Sequence, residues 1–239
     1  MKPLIVANWK CNPTTLEGAK LLFNSVKRGI QNIRNLEVVI CPPFPYLSII
    51  NNQLSIIKLG AQDCFWEERG AYTGEISPSM LKDLGVEYVI IGHSERRKYQ
   101  QEKDLMIYKK IEAALKRGLK PILCIDKISQ IPSFLRKRGG RRDRSPLRPK
   151  KDLRGVIIAY EPLFAIGTGK PCSIDKAKKM RIAIKKKLNK NIPILYGGSV
   201  NSENARDYVK KAGFQGLLVG GASLNAQEFI KIVKNVSEA

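Results

Sequence analysis

Eight short β-type runs alternate with amphipathic stretches from one end of this 239-residue chain to the other, and that alternation constrains its fold more than any other feature. The runs are Leu4–Trp9, Glu37–Cys41, Ile57–Gln62, Tyr88–Ile91, Pro121–Ile125, Val156–Tyr160, Ile192–Tyr196 and Gly216–Val219. Several are continuously apolar, as parallel strands covered on both faces should be. Helical patterns lie between them at Leu16–Arg34, Tyr46–Asn52, Pro78–Leu84, Lys103–Arg117, Ile174–Leu188, Ser202–Ala212 and Ala226–Val236. Ser77-Pro78 reads as an N-cap with Pro at the first helical position, and Gly85, Gly118 and Gly213 sit where helices should stop. Eight strands each followed by a helix predict a closed (β/α)8 barrel, an α/β fold with a parallel eight-stranded core, more readily than an open doubly wound sheet. Such barrels commonly occupy this length as one domain, so residues 1–239 are expected to form a single unit.

One stretch breaks the rhythm. The fifth helix is poorly signalled between Ile125 and Val156, and Arg136–Arg154 carries ten Arg and Lys against Asp143 and Asp152, with Gly139-Gly140, Pro146 and Pro149 interrupting any long helix. It reads either as an anion-binding arm or as a solvated connection replacing a helix, and mobility is expected in both cases. The whole chain has 43 Lys and Arg against 21 Asp and Glu, a formal charge of +22. Such a surface attracts anions, nucleic acid and phosphorylated metabolites alike, without choosing between them.

Other classes are disfavoured. No apolar run approaches the roughly 18 residues needed to span a bilayer, and the N-terminus passes straight into strand-like sequence with no signal core, so no membrane association is expected. Cys11, Cys41, Cys64, Cys124 and Cys172 are scattered and lack metal-ligand spacing. They read as free thiols of a cytoplasmic protein with no structural metal.

The unusual polar residues cluster at the C-terminal ends of the strands: Asn8 and Lys10, His93 to Arg96, Glu161, Gly197-Gly198-Ser199, and Gly220-Gly221. In a barrel these ends meet on one face, where the active site lies. Glu161 ends an apolar strand ahead of a Pro162–Gly169 loop, which suits a general base under a mobile cover or a strand that simply reaches the surface. His93, the single histidine, is either a structural residue or, at a helix start, a ring held neutral by the helix dipole. Lys10 is a solvated charge or an inward cation. The Gly-Gly turns are tight turns or backbone anion sites.

Together these segments resemble the triosephosphate isomerase family. The matching motifs are Asn8-Trp9-Lys10, Gly60-Ala61-Gln62-Asp63, Gly70 to Ser77, Gly92-His93-Ser94-Glu95-Arg96-Arg97, Ala159-Tyr160-Glu161-Pro162, Ala165-Ile166-Gly167-Thr168-Gly169, Tyr196 to Val200 and Leu218 to Leu224, in family order apart from about residues 126–155. The resemblance implies interconversion of dihydroxyacetone phosphate and glyceraldehyde 3-phosphate, a step of glycolysis and gluconeogenesis, without cofactor or metal. It implies that Glu161 is the base, that neutral His93 is the electrophile, and that Lys10 stabilises the enediolate and binds phosphate. Asn8 would orient the substrate, Glu95 would be a buried carboxylate supporting Lys10 and His93, and Gly167, Ser199, Gly220 and Gly221 would offer N–H groups to the phosphate. The resemblance also implies that the helix N-terminus keeps the His93 imidazole neutral so that it can polarise the carbonyl. The family also implies a homodimer, with the loop Phe65–Ser77 carrying Thr73 to the partner's active site.

The chain departs from the family pattern in several places. Phe164 stands where Trp is usual, Asp126-Lys127 replaces Gly-Glu, and Gln101 replaces a Gly near the expected interface. Two rival readings are a nucleic-acid-binding barrel, with Arg136–Arg154 and the Lys176–Lys190 face as its footprint, and another phosphate-binding barrel enzyme. The first lacks a recognisable binding module, so nonspecific binding is all it implies. The second shares the glycine turns but not the set Asn8, Lys10, His93 and Glu161.

Overall fold

The structure, a computed structural model, describes residues 2–51, 56–135, 155–165, 171–188 and 191–238. The segment Arg136–Arg154 and Gly167 lie outside the described residues. Eight parallel strands close into a barrel in chain order: β1 (Leu4–Asn8), β2 (Glu37–Cys41), β3 (Ile57–Ala61), β4 (Tyr88–Ile91), β5 (Lys120–Ile125), β6 (Ile157–Tyr160), β7 (Ile194–Tyr196) and β8 (Gly216–Val219). Closure comes from the β1–β8 pairing, Leu4 opposite Gly216 and Ala7 opposite Val219. Around it run α1 (Leu16–Ile30), α2 (Leu47–Asn51), α3 (Pro78–Asp83), α4 (Ser94–Tyr99), α5 (Asp104–Lys116), α6 (Ile174–Lys187), α7 (Ala205–Lys210) and α8 (Ala226–Ser237).

Strand alternation divides the buried side chains into two cores. Val6, Val39, Cys41, Ile90, Ile122, Cys124, Ala159, Leu195 and Leu218 fill the barrel interior. Their neighbours Ile5, Ile40, Leu59, Ile91, Leu123, Ile158 and Val219 pack outward with Phe23, Val26, Ile111, Phe229 and Val233 of the helices. Because both faces are buried, most of the strands read as apolar runs, with Lys58 the exposed exception inside β3. Gly60 points inward, and a Cβ there would collide with Cys41 and Val39, so only glycine fits that layer.

Local signals set most helix ends. Ser77 caps α3 with Pro78 behind it, and Thr15, Ser173 and Asn225 cap α1, α6 and α8 through side-chain oxygens. Gly85, Gly118 and Gly213 adopt φ of 76°, 72° and 77°, the left-handed stop expected of them. Two boundaries differ from expectation. Helix α1 ends at Ile30 rather than Arg34, because the Arg34 guanidinium donates to the Gln31 and Ile33 carbonyls and closes the end from outside. Helix α7 starts at Ala205 rather than Ser202, because Asn201 and Asn204 each accept the other's backbone N–H at 3.0 Å. The short α4 is charged along its length and carries no apolar period by which its extent is visible. After β5 the described chain makes only 3-10 turns at Ile128–Gln130 and Ser133–Leu135.

Gln101, between α4 and α5, holds φ 51°, where a Cβ costs energy. The side chain is exposed and compensates little. Gln101→Gly should therefore raise stability by about 0.5–1 kcal/mol, the left-handed penalty less glycine's extra unfolded-state entropy. Urea unfolding midpoints would read it, and a lower midpoint for the variant would refute the strain.

Candidate active site

The C-terminal mouth of the barrel brings together residues far apart in sequence. Asn8 ends β1 and is buried; its Oδ1 accepts the backbone N–H of Lys10 at 3.0 Å. Lys10 takes φ 55°, a left-handed turn that swings its side chain inward. That turn is clamped by Gln62, whose Nε2 donates to the Lys10 carbonyl at 2.8 Å and the Cys41 carbonyl at 3.0 Å. Lys10 Nζ then reaches Glu95 Oε1 at 2.5 Å. Gln62→Glu would replace the donor by an oxygen that repels both carbonyls and leave that of Lys10 unmatched, while that of Cys41 keeps the Trp9 N–H, so about 1–3 kcal/mol of stability should be lost. Thermal unfolding checks this, and an unchanged midpoint would refute the clamp.

His93 occupies the N-cap of α4, and its Nδ1 accepts the Glu95 backbone N–H at 3.2 Å. An accepting Nδ1 carries no proton, so in the neutral ring Nε2 bears the hydrogen. That Nε2 lies 3.2 Å from Glu161 Oε1. The other carboxylate oxygen, Oε2, accepts the Ser94 backbone N–H at 3.3 Å. Glu161 is 2% exposed, so it does not simply end a strand at the surface. Its own N–H donates to the Ile125 carbonyl at 2.8 Å, anchoring the residue to β5. The buried Cys124 thiol lies beside the carboxylate; burial, reinforced by that negative charge, raises its pKa well above the ordinary thiol range and keeps it a neutral donor.

Glu95 corrects one expectation. Its side chain is 41% exposed rather than buried, because the first turn of the short α4 is left uncovered in the single chain. It nonetheless meets both predicted neighbours, Lys10 through its carboxylate and His93 through its backbone N–H.

A cleft of about 400 Å3 opens between these groups and the glycine turns, lined by Asn8, Lys10, His93, Glu161, Ser199, Gly220 and Gly221 among others. The backbone at Gly221 is open to it, with no atom within 4 Å of where a Cβ would stand. Ser199 is differently engaged: its N–H and Oγ both donate to the Ala165 carbonyl, at 3.0 and 2.6 Å. A second cavity of about 640 Å3 adjoins the first at Lys10 and Glu161, reaching along α4 to Asp126, Lys127 and Gln130.

A buried charge cluster stands behind the site. Arg96 contacts Asp63 at 2.9 Å and Glu102 at 2.6 Å, and Lys110 contacts Asp63 at 2.7 Å and also Glu102. Burial would raise the Glu102 carboxyl, but hydrogen bonds from Lys110 and Arg96 outweigh it and hold it below its ordinary value. The cluster ties the root of the Phe65–Ser77 loop to α4 and α5. Sequence reasoning assigned no role to Gln62, Cys124 or this cluster. Gln62 carried a signal, a polar residue just past the end of a strand; Cys124 was one more small apolar residue in its run.

All five cysteines are free, Cys11 exposed and the others buried. Among the described residues, no group of three or more His, Cys, Asp or Glu could hold a metal ion, and no helix is long and apolar enough to cross a membrane.

A closed parallel barrel with a carboxylate, an imidazole and an ammonium converging at its C-terminal mouth defines a (β/α)8-barrel enzyme. The sequence pattern described as triosephosphate isomerase matches residues 3–236. Proteins named triosephosphate isomerase are similar over their full length. That of Alkaliphilus oremlandii (strain OhILAs) is 41% identical, over 97% of this chain and 98% of its own. That of Thermoanaerobacter sp. (strain X514) is 43% identical over the same shares, and that of Dehalococcoides mccartyi (strain BAV1) is 43% identical over 99% and 98%. The chain belongs to the triosephosphate isomerase family.

Proposed function

We propose that this chain, as one barrel domain of residues 1–239, interconverts dihydroxyacetone phosphate and D-glyceraldehyde 3-phosphate in glycolysis and gluconeogenesis, using its own side chains without cofactor or metal. The observation that carries the reading is the contact of Glu161, a buried carboxylate, with Nε2 of His93 at 3.2 Å. Glu161 removes a proton from the carbon beside the substrate carbonyl, and the C–H electrons form the C=C bond of an enediolate; His93 passes the hydroxyl proton to the former carbonyl oxygen, and the same carboxylate returns its proton to the neighbouring carbon as the other oxygen becomes the carbonyl. The substrate oxygen takes the place of Glu161 Oε1 on the His93 Nε2–H, freeing the carboxylate to turn to carbon. Lys10 offsets the negative charge on the enediolate and on the phosphate, Asn8 orients the substrate, and Glu95 steadies Lys10. A carbon acid this weak needs such charge stabilisation in a dry site.

The phosphate is held by backbone N–H groups of Ser199, Gly220, Gly221 and Gly167. For Ser199 this requires exchanging the Ala165 carbonyl for phosphate, which links phosphate binding to movement of the loop that starts at Pro162. Leu163 and Phe164 on that loop are 54% and 53% exposed, apolar cover that gains from folding down over a ligand.

The same reading includes a cytoplasmic homodimer. The Phe65 ring meets the rings of Trp66 and Tyr72 in tilted contacts in the Phe65–Ser77 loop, and Tyr72, Met80, Tyr99 and Phe44 are all exposed by 45% or more. That apolar surface favours a partner. Thr73, exposed near the loop tip, would approach the partner's Asn8 and Lys10. Sedimentation should give a dimer, and Thr73→Arg should shift it toward monomer and lower turnover; an unaltered, fully active dimer would refute the contact.

The direct test is isomerisation of glyceraldehyde 3-phosphate by the purified chain, coupled to a dehydrogenase acting on dihydroxyacetone phosphate. Turnover is expected. An intact dimer that turned over neither triose phosphate would overturn the proposal.

A further inference from the structure

We infer that the outer face of α6 and α7 is a binding surface for the sugar–phosphate backbone of single-stranded nucleic acid, separate from the isomerase site. Helix α6 carries Lys176, Lys178, Lys179, Arg181, Lys185, Lys186 and Lys187 against one acid, Asp175. Lys179 and Lys186 are exposed roughly opposite the buried Ala177 and Ile184, and Lys178 and Lys185 are exposed on the adjoining flank. The pairs repeat every seven residues, about 10 Å along the axis, in a straight stripe two lysines wide. None of these four meets a carboxylate among the described residues. Helix α7 lies alongside and adds exposed Arg206 and Lys210, one turn apart, while its acid Asp207 is taken up by Lys211 at 2.9 Å. The two helices are fixed to each other, for the Arg181 Nε donates to the Ala212 carbonyl just past α7 at 2.7 Å. The four lysines are thus held on a rigid surface with no carboxylate partner among the described residues.

The chemistry favours a polyphosphate strand over the other anionic surfaces. Ile182 is the one large apolar side chain exposed on the two helices, too little to enter a bilayer interface. Neither helix exposes an aromatic ring, since Tyr208 is buried, and the exposed Phe164 ring beside Lys176 is a single platform, so binding should show little sequence preference. An array of about five lysines neutralising single-strand phosphates implies a salt slope near −3.5, roughly a 100-fold loss of affinity between 50 and 200 mM salt.

The test is fluorescence anisotropy of a labelled 20-nucleotide oligouridine with the full chain at both salt concentrations. The quadruple variant Lys178→Gln, Lys179→Gln, Lys185→Gln, Lys186→Gln is compared with a scattered variant of equal charge, Lys2→Gln, Lys103→Gln, Lys116→Gln, Lys231→Gln. Isomerase activity and thermal midpoint serve as checks that each is folded. Salt-steep binding that falls at least about tenfold in the α6 variant and far less in the scattered one is expected, with isomerase activity unchanged in the α6 variant. Equal weakening in the two variants would assign the binding to bulk charge and overturn the inference. So would no binding at 50 mM salt, or capture by anionic phospholipid vesicles without oligouridine binding.

Discussion

Glu161→Gln is expected to lower the rate of isomerisation by about 10²- to 10⁴-fold, the range a positioned general base contributes, with the fold intact. The amide is the same size as the carboxylate and still offers an oxygen to the Ser94 N–H, which Glu161 Oε2 accepts at 3.3 Å. What it lacks is a lone pair basic enough to take a proton from carbon. The backbone anchor from Glu161 N–H to the Ile125 carbonyl is untouched. The thermal midpoint should therefore stay near that of the parent while turnover collapses. Exchange of the substrate's carbon-bound hydrogen with solvent should vanish in parallel, since it needs the same proton transfer. Retention of near-normal turnover would remove Glu161 from the role of base. Loss of both turnover and fold would leave the role unread, and Glu161→Asp then separates the two, because it keeps the base and retracts it by one methylene.

Lys10→Ala should damage both binding and rate. The ammonium lines the cleft, contacts Glu95 at 2.5 Å, and is the one Lys or Arg among the described residues lining that cleft. A charged hydrogen bond to the substrate is worth about 1.5–3 kcal/mol, so KM should rise roughly 10- to 100-fold. Loss of charge stabilisation at the enediolate should lower kcat by a further 10²- to 10³-fold or so. The backbone raises a competing cause, since Lys10 sits at φ 55° and alanine is strained there as well. Lys10→Gly settles which cause acts. It relieves the turn and should be about 1 kcal/mol more stable than Lys10→Ala, yet equally inactive. Recovery of activity in the glycine variant would show that backbone strain, not the missing ammonium, had caused the loss.

The two residues illustrate what was legible in advance. Glu161 and Lys10 stood out because a charged residue ended an otherwise apolar run, a contrast visible within ten residues. The helix stops at Gly85, Gly118 and Gly213 and the cap at Ser77 were legible for the same reason: cap chemistry is local. The extent of α4 was not, because a six-residue charged helix has no periodic face. Nor was Gln62, whose two acceptors are 52 and 21 residues away.

By itself, then, the order of residues determined the strands, their parallel burial, the barrel and the strand ends where polar groups collect. Period, apolar runs and caps act between near neighbours, so they survive without a fold. Only the tertiary structure decided that Lys10 and Glu95, 85 positions apart, lie at 2.5 Å, and that Glu95 remains partly exposed there. It also decided that the Nδ1 of His93 accepts the Glu95 N–H, that Glu161 rests on Ser94 and His93, and that Ser199 is occupied by Ala165. These follow from barrel closure and strand register, which set distances between segments that share no local signal.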